Sequence, residues 1–117
     1  MTHANDVAEN YIALWNETDA GRRRAMLAQG WTEAATYVDP MMKGQGHAEI
    51  DALVGAVHAR FPGFRFGLLK PADGHGDFVR FSWGLGPDHP IKGSDVLVVE
   101  GGKIRAVIGF LDQVPAA

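Results

Sequence analysis

Three residues carry groups able to hold or move a proton while standing in apolar company: Tyr11, Asp39 and Asp95. Tyr11 falls in helical spacing with Val7, Leu14 and Trp15, so its phenol shares the side of an apolar stripe. Asp39 closes the short run Ala34-Ala35-Thr36-Tyr37-Val38 and stands directly before Pro40. Asp95 has the strand parity of Ile91, Leu97 and Val99. A carboxylate on such a face is costly unless it is paired, protonated or wetted. Titratable groups in apolar settings are the ones that serve acid–base chemistry. Each also has a plain structural reading. Tyr11 can be a core tyrosine with its hydroxyl at the edge. Asp39 can start a turn, and Asp95 can sit at a strand entrance behind a bulge at Gly93-Ser94.

The elements that must position these groups follow from periodicity. A helix is predicted from about residue 6, with Asp6 and Glu9 spaced as a capping box, to residue 16. Asp19 can cap a second helix over residues 20–28, which Gly30 stops. Residues 34–39 read as a short strand, and Met41 to Gly46 as a loop. Ile50, Leu53, Val54 and Val57 mark a third helix over residues 47–60, ended by Phe61-Pro62-Gly63. The period then changes to two. Phe64, Phe66 and Leu68 alternate, Asp73 to Asp77 is a turn, and Val79, Phe81, Trp83 and Leu85 alternate again. Gly86 to Pro90 turns the chain into a strand over residues 91–100. Gly101-Gly102 supplies a hairpin to a last strand over residues 104–112. Three helices and a four-strand antiparallel meander make one α+β domain over residues 1–117.

Composition removes several function classes. The chain has 117 residues, Lys+Arg 11 against Asp+Glu 14, and no cysteine. The acid balance argues against nucleic acid. The missing cysteines exclude thiol nucleophiles, disulfides and thiolate metal sites. No stretch is long and apolar enough for a membrane span, and residues 1–6 do not read as a signal peptide, so the expected location is cytoplasmic. The five histidines show no metal-ligand spacing, so no metal is expected. Arg22-Arg23-Arg24 reads as a solvated helix face.

Two features bear on shape. Apolar residues occur on both parities of the last two strands, Val96 and Val98 against Leu97 and Val99, and Val107 and Leu111 against Ile108 and Phe110. Helices cover one sheet face, and a second copy is the simplest cover for the other, which predicts a homodimer. Gly67, Gly84, Gly93 and Gly109 lie inside predicted strands, where they let a sheet bend sharply.

The order of these features resembles the nuclear transport factor 2-like superfamily, with its SnoaL-like polyketide cyclases and ketosteroid isomerases, over residues 5–113. The resemblance rests on Glu9-Asn10-Tyr11-Ile12-Ala13-Leu14-Trp15-Asn16 with Asp19, on Ala35-Thr36-Tyr37-Val38-Asp39-Pro40, on Gly44-Gln45-Gly46 leading into Ile50, and on the closing strands. It implies a cystatin-like α+β roll: a cone-shaped, curved antiparallel sheet wrapped around a long helix, with an apolar pocket. Similarity to ketosteroid isomerase implies Asp39 as general base, with Tyr11 and a neutral Asp95 donating hydrogen bonds to an enolate oxygen and no cofactor. The implied activity is an isomerase or cyclase acting on a small apolar carbonyl compound. The alternative is a non-catalytic apolar-ligand-binding or dimerisation domain of the same fold. Trp15, Met41, His47, Phe66, Phe81 and Trp83 are the expected pocket residues, and similarity to the cyclases adds Asp112. An epoxide-hydrolase pattern needs Arg-x-Asp where this chain has Gly93-Ser94-Asp95.

Overall fold

The computed structural model describes residues 3–115. Helix α1 (Ala4–Asn16) buries Ala8, Tyr11, Ile12, Leu14 and Trp15, the stripe read from the sequence. Its start differs from expectation. The helix begins at Ala4, His3 stands at the N-cap without a side-chain bond, and Asp6 lies in the first turn. There its charge favours the unpaired amides without capping them. Helix α2 (Ala20–Gly30) is capped as expected, the Arg22 amide donating to Asp19 Oδ2 at 2.8 Å. The arginine run is not uniformly solvated. Arg23 turns inward, pairs with Asp51 and donates to the Glu17 carbonyl, while Arg22 and Arg24 stay exposed. Helix α3 (His47–Arg60) buries Ile50 and Val54 completely.

The sheet has seven strands: β1 (Trp31–Val38), β2 (Lys43–Gln45), β3 (Phe66–Leu68), β4 (Asp73–His75), β5 (Phe78–Leu85), β6 (Ile91–Glu100) and β7 (Lys103–Gln113). Their order is β2-β1-β7-β6-β5-β3, with β4 also paired to β5. The expected all-antiparallel sheet is corrected at one seam. β1 and β7 run parallel, matching Tyr37 with Val107 and Val38 with Ile108. The chain leaves β1 through β2 and then α3, and comes back after several reversals beside it, in its own direction. Two segments read as non-strand also pair. Lys43–Gln45, expected to be loop, folds back on Thr36–Val38, and Asp73–His75, expected to be turn, pairs with Phe78–Arg80.

The helices pack on the concave face of this curved, mixed sheet, and the core lies between. Val79, Phe81 and Leu97 are among its most buried residues. Strand glycines do more than permit bending. A Cβ on Gly93 would meet the Trp83 indole at 2.2 Å, and one on Gly84 would meet the His89 ring at the same distance. Both positions are bare so that a neighbouring ring can lie across the strand. On the convex face Val96, Val98 and Ile108 are half-buried, flanked by the exposed Val38, Phe78 and Phe110. Among the described residues no helix is long and apolar enough to cross a membrane.

Candidate active site

The open end of the curved sheet holds a cavity of about 680 Å³, with Tyr11, Trp15, Tyr37, Phe66 and Trp83 among its walls. Its polar groups come from the end of β1, from β5 and β6, from α1 and, with Arg60, from α3. Asp95 projects from β6 toward the concave face, opposite Phe81 on β5 and Gly109 on β7. It is 3% exposed. Tyr11 Oη donates to Asp95 Oδ2 at 2.8 Å, and Trp83 Nε1 donates to Oδ1 at 3.1 Å. Burial pushes the carboxyl up to about 6. The two donors oppose that rise, and the charges of Asp39 and Asp112 add to it. Burial also holds the Tyr11 phenol well above its ordinary range, with the Asp95 charge adding to the effect. Among the described residues the buried Trp15 Nε1 has no hydrogen-bond partner, and its ring lies 6.2 Å from that of Tyr11 between centroids.

Asp39 stands one residue beyond β1. Its Oδ1 accepts from the Met41 and Met42 amides at 2.7 and 2.9 Å, an Asx-type turn. Its Oδ2 accepts from Tyr37 Oη at 2.6 Å. Tyr37 is raised far above a normal phenol, first by burial and then by the bond to Asp39. Between the two carboxyls lies bare backbone. A Cβ on Gly109 would stand 3.0 Å from Asp95 Oδ1 and 3.1 Å from Asp39 Cβ. Strand β7 therefore separates the acids by one peptide ribbon and puts no side chain between them.

Of the residues expected at a site, Tyr11, Asp39, Asp95, Trp15, Met41, Phe66 and Trp83 line this cavity. Three do not. Phe81 is 2% exposed and packs behind Tyr11, ring centroids 5.3 Å apart. His47 turns its Nε2 to the Trp31 and Thr32 carbonyls and anchors the start of α3 to β1. Asp112 is exposed and accepts from Ser94 Oγ at 2.6 Å, since alternation along β7 puts it on the convex face with Ile108 and Phe110. Tyr37 and Met42 line the cavity without having been singled out. For Tyr37 the signal was present, since positions i and i+2 of a strand share a face and put it beside Asp39. Among the described residues no group of three or more His, Asp or Glu could hold a metal ion.

Comparison with known proteins agrees with the fold. Residues 8–107 match the family model described as a SnoaL-like domain. A candidate isomerase of the SnoaL-like family from Agrobacterium tumefaciens is 46% identical, with a TM-score of 0.89 over 96% of this chain and 99% of that one. A candidate ketosteroid isomerase from Kribbella flavida superposes with a TM-score of 0.72 at 19% identity, over 97% of this chain and 81% of the other. A protein of ketosteroid isomerase-like fold from Catenulispora acidiphila, solved with trimethylamine, gives 0.73 at 16% identity over 92% and 85%. No curated protein matches the chain.

Proposed function

The chain belongs to the SnoaL-like domain family, and from that premise we propose that it moves a proton on a carbon next to a carbonyl group. The observation that carries this reading is the meeting of Asp39 with the Tyr11–Asp95 pair across Gly109 in one apolar cavity. Asp39 Oδ1 is held by two amides and Oδ2 by the Tyr37 hydroxyl alone, which leaves Oδ2 the oxygen with a lone pair to take a proton. The C–H bond breaks, its electron pair moves to the carbonyl oxygen, and Tyr11 donates to that oxygen. A proton on Asp95 reverses the Tyr11–Asp95 bond: Asp95 donates to the phenol oxygen, and the phenol proton is freed for the ligand. Asp39 then returns its proton, at the same or another carbon. The apolar walls suit a small hydrophobic carbonyl compound.

The test is deuterium incorporation at the α-carbon of a panel of cyclic and open-chain ketones in D₂O, followed by NMR. Exchange above the buffer rate on at least one member is expected. Buffer-rate exchange across the panel would remove the reading.

A second reading is ligand capture without turnover. The trimethylamine in the Catenulispora acidiphila relative favours it, because aromatic faces beside carboxylates attract an alkylammonium. Saturable trimethylamine binding by a protein that exchanges no ketone would support it.

We also infer a homodimer, formed by the convex faces around Ile108, Val96 and Val98. An apolar sheet face with no helix over it calls for a cover. Light scattering should give twice the 12.6 kDa chain mass, and Ile108→Asp should give one chain mass with an unchanged circular dichroism spectrum. A wild-type mass of one chain would refute the dimer.

A further inference from the structure

Among the described residues the cavity walls carry one cation, Arg60, beside the acids Asp39 and Asp95. It pairs with neither. The ion pairs of the described residues belong to Arg23, Arg80 and Arg105. Arg60 stands exposed in the last turn of α3, whereas Asp95 is 3% exposed, so the two mark the outer and inner ends of one cavity. The guanidinium lies over the Phe61 ring, 5.7 Å from its centroid, where the π face attracts a cation. Phe61 stacks in turn on Phe64, centroids 5.6 Å apart. Phe64 lies on bare backbone at Gly86, just past β5, where a Cβ would meet its ring at 2.7 Å. Two rings seated on the sheet therefore hold the charge in place. A cation in the last turn also favours the helix dipole, but that role requires neither a cavity wall nor an aromatic seat. The other walls are mostly apolar, with Trp15, Val57, Phe66 and Leu111 among them.

We propose that Arg60 anchors a carboxylate, so that the ligand is an oxo acid: a carbonyl at the inner end, an apolar middle and an anion at the mouth. The inner end rests on the proton-transfer reading above; the carboxylate anchor does not depend on turnover. A guanidinium presents two parallel N–H groups that match the two oxygens of a planar carboxylate. A phosphate dianion would call for a second cation, and the walls supply none among the described residues. The opposite charges at the two ends also fix direction. A ligand entering carboxylate first would bring its charge against Asp39 and Asp95 and leave Arg60 unpaired. Entering carbonyl first, it puts an uncharged oxygen at Tyr11 and its charge at Arg60. Arg60 thus touches the ligand away from the reacting carbon, and it sets which compounds bind and which way round they lie.

Binding is tested first, with octanoate and octanol as matched probes. Tryptophan fluorescence reports it, since Trp15 and Trp83 line the cavity. Octanoate should bind wild type about tenfold more tightly than octanol. Arg60→Gln should bring octanoate down to the affinity of the alcohol, and Arg60→Lys should keep part of the difference. Equal affinities in wild type, or an Arg60→Gln that weakens both probes alike, overturn the anchor. Turnover is tested with a ladder of methyl-ketone acids, from levulinate to a ten-carbon oxo acid, each beside its methyl ester, by deuterium exchange in D₂O. At one chain length the acid should show a KM about tenfold below that of its ester, and Arg60→Gln should remove that advantage through KM. Exchange of esters and acids with equal KM along the whole ladder overturns the oxo-acid assignment and leaves proton transfer standing. Arginine-dependent octanoate binding without exchange of any ketone keeps the anchor and removes the proton-transfer reading alone.

Discussion

Asp39→Asn is expected to slow α-carbon exchange of the best ketone in the panel by about a thousandfold, within the range a positioned general base supplies. Asparagine is the informative substitution because the loop survives it. The amide carbonyl can accept from the Met41 and Met42 amides that now bind Oδ1, and the NH₂ group can donate to Tyr37, which now bonds Oδ2. What disappears is the basic lone pair. The measurement is the exchange rate by NMR beside a thermal melt of each protein. An Asn variant exchanging within tenfold of wild type, at similar stability, would place proton abstraction on another group.

The second large effect is thermodynamic. The Asp95 carboxyl is pushed up from 3.8 to about 6, chiefly by burial. The folded state therefore holds this proton more tightly than the unfolded chain does. The resulting stability is fully present below about pH 4 and is lost as pH rises through 6. That rise corresponds to about 3 kcal/mol. Asp95→Asn does not ionise and should not lose it. Urea denaturation at pH 4 and pH 7 should show the variant gaining about 3 kcal/mol on wild type between the two, with other carboxylates cancelling in the difference. Parallel stability curves would show that Asp95 ionises as freely in the fold as out of it. The same titration sets the reaction's acid requirement. Wild-type exchange should decline above pH 6, where Asp95 no longer has a proton to give Tyr11, and Asp95→Asn should lack that decline.

Periodicity made the helices and the long strands legible. The spacing of Ile50, Leu53, Val54 and Val57 marks α3, and the parity of Asp95 places it on the buried face, where it is 3% exposed. Resemblance to a family located Tyr11 and Asp39 in the same cavity. The rest depended on information that spacing does not carry. Alternation assigns a face but not a partner, so the parallel seam between β1 and β7 and the short β2 and β4 pairings were hidden. Asp112 alternates with Ile108 and Phe110, which puts it on the convex face beside Ser94. Phe81 and Trp83 share parity on one strand, yet only the ring that crosses bare Gly93 lines the cavity. His47 opens a helix near the site, but its ring finds two carbonyls in another direction.

The place of β7 has a kinetic consequence. It lies between β1, which ends beside Asp39, and β6, which carries Asp95, and it is made after both. Until it inserts, the two acids belong to separate sheet fragments. The seam joins Trp31–Val38 to residues 104–108, across most of the sequence, and such non-local pairing forms late. Refolding should therefore restore helical signal before it restores any ligand binding. Mutations that slow docking of β7 would then deplete competent protein in the cell without altering a single residue of the cavity.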